Sequence, residues 1–279
     1  MKKIAVTGAT GHLGGLAIAA LRAKGAAPIA LARTPSKAAP LGVEARAFDY
    51  TSADPAALAG VETLVLVSSN DFNDRAGQHR NVIAAAKAAG VGRILYTSIL
   101  KGPASPMILA QDHIATEAAL AESGLAVTLL RNGWYFENYA SAVAMGPQHG
   151  AILGASGEGR ISAAARADFA EAIAVTALDG GHAGKAYELA GDSAFSMAEF
   201  AAELARQTGK AVAYQNLAQA DYARTLISFG LPEGFASVLA DSDATAAKGA
   251  LFDDSRTLSR LIGRPTATLT AAIASALAG

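Results

Sequence analysis

Along the first half of the chain, short apolar runs alternate with longer stretches in which apolar residues return every three or four positions. Lys3 to Thr7, Pro28 to Ala32, Val43 to Phe48, Thr63 to Val67, Arg93 to Thr97 and Val127 to Leu130 read as strands. Leu13 to Ala23, Gln78 to Ala89 and Ile108 to Ser123 read as helices between them. Short strands that are apolar throughout are buried on both faces, so the alternation predicts an α/β fold with a doubly wound parallel sheet. Ligands on such sheets bind beyond the carboxyl ends of the strands, which directs the search for chemistry to the residues that follow each strand.

Past residue 132 the pattern loosens. A helix is expected from about Asp168, a strand over Lys185 to Ala190, a helix over Met197 to Gln207, and a last helix over Thr268 to Leu277, with an irregular stretch around "FGLPEGF". Residues 1–132 are therefore expected to form the main core. Residues 133–279 are expected to form a smaller mixed α/β lobe on the substrate side, with segments that return to pack on that core.

The segment Ile4 to Leu21 contains no Lys, Arg, Asp or Glu over 18 residues, long enough to raise the question of a membrane span. Gly8, Gly11, Gly14 and Gly15, with Thr7, Thr10 and His12, make it too polar for one, and only Ile4 to Val6 precede the first polar residue, which does not fit a signal peptide. Strand, turn and helix is the better reading. It places the backbone N–H groups of Gly8, Ala9, Thr10, Gly11, His12, Leu13 and Gly14, and the positive end of a helix dipole, where a pyrophosphate can sit. The spacing GxxGxxG differs from GxGxxG, and a glycine triplet alone is weak; its place between a strand and a helix gives it weight.

Composition narrows the partners. The chain has 23 basic and 24 acidic residues, a net charge of -1 and no long run of like charge, so neither nucleic acid nor a lipid surface is indicated. No cysteine is present, and the five histidines are scattered without a metal-ligand spacing, so no metal is expected. A small-molecule partner and a cytoplasmic setting are the expectation.

Candidates then follow strand by strand. Arg33 ends the second strand where an acid would accept from the ribose hydroxyls of NADH; an arginine there either meets the 2'-phosphate of NADPH or is a solvated surface residue. Asp49 either accepts from an adenine amino group or forms a turn. Ser68, Ser69 and Asn70 follow the fourth strand, and Thr97 and Ser98 the fifth, where small polar residues allow a nicotinamide ribose to approach. No tyrosine has lysine four residues on, so the Tyr-x-x-x-Lys proton-transfer pair of many short-chain dehydrogenases is absent. Its helix instead carries His113 and Glu117 one turn apart, readable as a carboxylate supporting a protonated imidazole or as an exposed pair. After the sixth strand come Asn132, a nicotinamide candidate, and Trp134, Tyr135, Phe136 and Tyr139, which either anchor the second lobe or present flat faces to a flat acceptor. Arg166 and Asp168 either help close the site or cap a helix. A Walker loop and a GxSxG elbow are both absent.

Taken together, "VTGATGHLGG", "LAR" ending at Arg33, "QHRNVIAAAKAAGV", "YTS", "DHIATEAAL", "LRNGWYFENY", "YELAGDSAFS" and "LFDDSRTLSRLIGRPTATL" resemble the type 2 NAD(P)H:quinone oxidoreductases, atypical short-chain dehydrogenases of the NmrA-like group. The resemblance implies a Rossmann-type fold and flavin-free, two-electron reduction of quinones by NADPH. It implies that Gly8 through Gly14 hold the pyrophosphate, that Arg33 holds the 2'-phosphate, and that Ser68, Ser69, Asn132, Trp134 and Tyr135 lie at the nicotinamide end. Of these, Trp134, Tyr135 and Asn132, with His113, are the candidates for catalysis. A homodimer is compatible with it. The alternatives are a dinucleotide-binding redox sensor without turnover and a reductase of another flat conjugated acceptor, such as a triphenylmethane dye.

Overall fold

The computed structural model describes residues 3–278. The strands among them are β1 (Ile4–Val6), β2 (Ile29–Ala32), β3 (Ala45–Ala47), β4 (Thr63–Leu66), β5 (Arg93–Ile99), β6 (Ala126–Asn132), β7 (Ala151–Gly154), β8 (Ala186–Leu189) and β9 (Ala213–Asn216). Seven form one sheet in the order β3-β2-β1-β4-β5-β6-β8, and the pairings from β3 across to β6 are parallel. The chain reverses its direction of travel across the sheet between β1 and β4, which opens a crevice at the carboxyl ends of these two strands. This is the doubly wound Rossmann-type sheet expected from the alternation.

The helices begin with α1 (His12–Ala23), α2 (Arg75–Ala88), α3 (Ala110–Glu122), α4 (Ala140–His149) and α5 (Arg166–Leu178). On α1, Leu13, Ala17, Ile18 and Leu21 recur at helical spacing and are buried, so this face is held by the sheet side of the fold. Its neighbour α5 is buried almost all round through Phe169, Ala170, Ile173, Ala174 and Ala177, and the two helices lie against each other. The carboxyl end of α5 is closed by Arg93, which donates to the carbonyls of Thr176, Ala177 and Asp179 at 2.8–2.9 Å. On the other face of the sheet, Leu31, Leu58, Leu64, Leu66, Val82, Ile94, Tyr96 and Leu120 form a continuous apolar cluster.

Two strands outrun their sequence expectation. β5 extends to Ile99 and β6 to Asn132 because the two stay in register along their whole length, from Arg93 opposite Ala126 to Ile99 opposite Asn132. By contrast β3 shrinks to Ala45–Ala47, an edge strand whose residues are half-buried or exposed.

The chain divides into two compact units. The first runs to Gly102 and adds Asp112–Asn132 and Arg166–Tyr187; the second comprises Pro103–Gln111, Gly133–Ala165 and the residues from Glu188 onward. Within the second unit β7 and β9 pair in parallel, and the remaining helices are α6 (Met197–Thr208), α7 (Gln219–Ser228), α8 (Glu233–Ala246), α9 (Thr257–Ile262) and α10 (Leu269–Ala278). A capping box starts α6, with Ser196 accepting from Glu199 N–H and Glu199 accepting from Ser196 N–H. The stretch read as irregular around "FGLPEGF" is a tight break between α7 and α8, with Pro232 immediately before the new helix.

Candidate active site

The phosphate loop is built by close approach of two glycines. Gly8 has φ +58°, a conformation that few side chains tolerate, and Gly11 N–H bonds back to the Gly8 carbonyl at 2.9 Å. Helix α1 then begins so near to Gly8 that a Cβ on Gly14 would fall 2.2 Å from the Gly8 carbonyl oxygen. No side chain caps the α1 N-terminus at Gly11, and its first turn contains no acidic residue. Its leading N–H groups and dipole are therefore presented to a ligand rather than neutralised by the protein, and they fit the pyrophosphate of a dinucleotide.

Arg33 is exposed just past β2, and its charge reaches Asp49 beyond β3. Asp49 forms the turn foreseen as one of its two roles. Its Oδ1 accepts from the backbone N–H of Thr51 at 2.9 Å and from the Thr51 hydroxyl at 2.8 Å, and these bonds, with Arg33, hold the carboxyl below its usual range. No acid faces Arg33 from its own strand end, which matches a site for the additional phosphate of NADPH.

The ends of β1 and β4 are tied by residues that sequence reading passed over. Tyr50 Oη lies 2.7 Å from both Thr7 Oγ1 and the Val67 carbonyl, while Val67 N–H donates to Thr7 Oγ1 at 3.0 Å. Burial pushes the Tyr50 phenol well above its usual range, so it remains a neutral strut under Gly8. The signal was present in the sequence as a tyrosine directly after a strand-end acid.

The loop after β4 is held from the inside. Ser68 N–H donates to Thr97 Oγ1 at 2.8 Å, which brings together two of the expected strand-end residues. Ser69 is gripped on every polar atom: its N–H donates to His79 Nε2 at 2.9 Å, its carbonyl accepts from Arg75 Nε at 2.6 Å, and its hydroxyl donates to Gln78 Oε1 at 2.7 Å and accepts from Asp71 N–H. Ser69 thus shapes the loop through its hydroxyl, while Asn70 stays exposed beside it. His79, Arg75 and Gln78 come from α2 and lie in "DRAGQH", where only their one-turn spacing marked them. Because His79 Nε2 accepts, its Nδ1 carries the proton and donates to Thr116 Oγ1 at 2.9 Å.

His113 and Glu117 do not form the pair read as one of two options. His113 is buried with Nδ1 2.7 Å from Tyr96 Oη, and burial, reinforced by Arg75 and His79, lowers its pKa to about 3. It is a neutral hydrogen-bonding group near pH 7, which overturns the protonated acid. Glu117 faces Ser98 and Arg131 instead: it accepts from Ser98 Oγ at 2.6 Å and from Arg131 Nε and Nη2 at 3.0 and 2.7 Å. Both residues are buried, so the exposed-pair reading falls as well. Gly102, with φ +46°, makes room for this clamp, since a Cβ there would lie 2.4 Å from Arg131 Nε.

Asn132 ends β6, buried, with its carbonyl accepting from Leu100 N–H at 2.9 Å. In the second unit the aromatic segment divides. Phe136 stacks on Phe195 at 5.7 Å, and Tyr139 packs on Phe200 at 5.1 Å, so these two rings are anchors. Trp134 and Tyr135 stay half-buried on a backbone fixed by Ala164, whose N–H donates to the Trp134 carbonyl. Arg166 opens α5 and Asp168 is buried in its first turn.

Comparison with known proteins agrees with this geometry. A family of NAD(P)H-binding proteins matches residues 8–179. Over 273 residues the chain is 54% identical to quinone oxidoreductase 2 of Escherichia coli strain K12, covering 95% of this chain and 96% of that one. The crystal structure of the Escherichia coli NADPH-dependent quinone oxidoreductase complexed with NADPH superposes with a TM-score of 0.95 at 52% identity, covering 98% of this chain and 99% of that one. The Citrobacter sp. triphenylmethane reductase complexed with NADP(H) superposes with a TM-score of 0.92 at 34% identity, covering 98% and 100%. The chain belongs to the NAD(P)H-binding family and, within it, to the type 2 quinone oxidoreductases that its motifs resemble. Among the described residues, no helix is long and apolar enough to cross a membrane.

Proposed function

We infer that this chain reduces quinones at the expense of NADPH, in a two-electron step that needs no flavin. The observation that carries the reading is the uncapped N-terminus of α1 above the Gly8–Gly14 contact, with Arg33 placed for a 2'-phosphate, in a chain 54% identical to a quinone oxidoreductase. Gly8 through Gly14 bind the pyrophosphate, Arg33 the 2'-phosphate, and Asp49 lies at the adenine end. Ser68, Asn70, Thr97, Ser98 and Asn132 form the wall for the nicotinamide ribose and ring, with Ser69 shaping it from behind, and Arg166 is the cofactor-side residue that helps to close the site. Bound NADPH supplies the hydride, and the reaction balances as NADPH, a proton and a quinone giving NADP+ and a hydroquinone.

The residues of the chain contribute position and exclusion of water, because a quinone is already an able acceptor. Trp134 and Tyr135, which follow Asn132 in the chain, offer half-buried rings for the flat acceptor to stack on. With His113 held neutral, the proton on the product oxygen comes from solvent or a tyrosine hydroxyl. The likeness to the triphenylmethane reductase supports a flat dye as a second class of acceptor.

Purified protein without added flavin should oxidise NADPH when benzoquinone is supplied, and faster than it oxidises NADH. A rate no greater than the uncatalysed one sinks the reading. Tight, equal binding of NADPH and NADP+ without turnover would favour the redox sensor.

A further inference from the structure

Four polar side chains, His79, Thr116, Tyr96 and His113, meet beneath the loop after β4, and their bonds can be followed one proton at a time. Ser69 N–H donates to His79 Nε2 at 2.9 Å, so the proton of this neutral ring is on Nδ1. Thr116 donates its own proton to the Asp112 carbonyl at 2.7 Å and accepts from His79 Nδ1 at 2.9 Å. The Tyr96 hydroxyl has two imidazole nitrogens in reach: His79 Nδ1 at 3.5 Å, which already carries a proton, and His113 Nδ1 at 2.7 Å. Of the two only His113 can accept, and it is also the nearer, so Tyr96 donates to it.

A neutral imidazole that accepts at Nδ1 carries its proton on Nε2. Burial keeps His113 uncharged near pH 7. Among the described residues nothing accepts from His113 Nε2, although the ring is only 7% exposed. Tyr96, His79 and Thr116 are fully buried, so His113 is the member of the group that can meet a ligand. The group lies at the cofactor-binding edge: Tyr96 directly precedes Thr97 and Ser98 near the end of β5, and His79 holds the Ser69 backbone.

We propose that His113 donates from Nε2 to a carbonyl oxygen of the acceptor, as a neutral hydrogen-bond donor that stabilises the negative charge arriving with the hydride. The assignment rests on the quinone reading above and adds a catalytic residue to it. NADPH passes a hydride to the quinone and becomes NADP+. The hydroquinone anion so formed takes a proton from solvent, and the N–H bond of His113 stays intact. A neutral donor suits this step, because it is fixed in place before the charge develops and does not change its own protonation state. Tyr96 and His79 are positioning residues, which keep the proton of His113 on Nε2.

Nitrogen-15 NMR of protein labelled in its imidazoles reads the tautomer directly. His113 should show a protonated Nε2 and a bare Nδ1 between about pH 6 and 8, and the reverse tautomer overturns the proposal. Steady-state kinetics then compare wild type and His113→Phe with 1,4-benzoquinone. Turnover per folded molecule should fall on the order of 100-fold, while KM and the Kd for NADPH stay close to wild type. A kcat within about threefold of wild type, or a loss that follows NADPH affinity, overturns it. Should His113→Phe not fold, Tyr96→Phe combined with His113→Phe, which also removes the phenol left without its acceptor, is measured instead. If wild type itself reduces no quinone, the functional reading fails. The donor is then judged by the infrared carbonyl stretch of benzoquinone added to the NADP+-loaded protein: a downshift that His113→Phe abolishes supports it, and no downshift, or one that survives the substitution, overturns it.

Discussion

Gly14 lies against Gly8 so closely that a methyl group on Gly14 would overlap the Gly8 carbonyl carbon and oxygen, at 2.7 and 2.2 Å. The turn that presents the α1 N-terminus depends on this contact. Gly14→Ala is expected to lower unfolding free energy by about 1–3 kcal/mol through overpacking and to weaken NADPH binding. Urea denaturation with and without NADPH checks both, and an unchanged midpoint with unchanged affinity refutes the role given to the contact.

Arg33 is exposed and separate from the fold's packing, so its replacement isolates cofactor choice. Arg33→Gln should weaken NADPH binding by about 10- to 100-fold through loss of a charge-assisted bond, with little effect on NADH. A parallel loss for both cofactors would mean that Arg33 does not meet the 2'-phosphate.

The Glu117 clamp joins β5, α3 and the end of β6 through Ser98 and Arg131. Glu117→Gln removes the carboxylate that Arg131 meets at 2.7 Å at a part-buried site and should cost about 1.5–3 kcal/mol of stability. Turnover per folded molecule at low temperature should persist. Complete loss of turnover with an unchanged thermal midpoint would instead mark Glu117 as a participant in the reaction.

His79 and His113 both have pKa values lowered from 6.5 to about 3, chiefly by burial. The unfolded chain binds protons at these sites first, so their contribution to stability is full above pH 6.5 and is lost as pH falls toward 3. Each contributes a slope of up to about 1.4 kcal/mol per pH unit inside that window. Urea midpoints between pH 7 and about 4 should fall steeply in wild type and less steeply in His113→Asn. Equal slopes would show that His113 is not kept neutral in the folded protein.

The sheet was legible because β1, β2 and β4 are short, apolar and bounded by turns, and because α1 carries an unbroken apolar stripe. The glycine loop was legible for the same reason: Gly8, Gly11 and Gly14 sit where a strand stops and a helix starts. The second unit was harder to read. Its strands β7 and β9 have four residues each, α4 contains Pro147, and α8 starts directly after a Gly-Leu-Pro break, so local signals conflict with the tertiary outcome. Within the site, Arg33 and Asn132 stood out by position at strand ends. Tyr50 and His79 did not, because their roles depend on hydrogen bonds to Thr7 and Thr116, far away in sequence, and Arg75 did not, because its bond to the Ser69 carbonyl depends on how the loop folds back on α2. The His113–Glu117 spacing on one helix was visible, but the competing partners Tyr96, Ser98 and Arg131 come from neighbouring strands that periodicity cannot reveal.

The clamp on Ser69 carries a thermodynamic consequence for how the cofactor arrives. A loop that orders only upon contact loses about 1–2 kcal/mol of backbone conformational freedom per residue, and that loss is subtracted from affinity. Here His79, Arg75 and Gln78 fix the loop through the chain's own hydrogen bonds. Association should therefore follow simple second-order kinetics without a slow ordering phase, leaving release of oxidised cofactor or product as the step most open to limiting turnover.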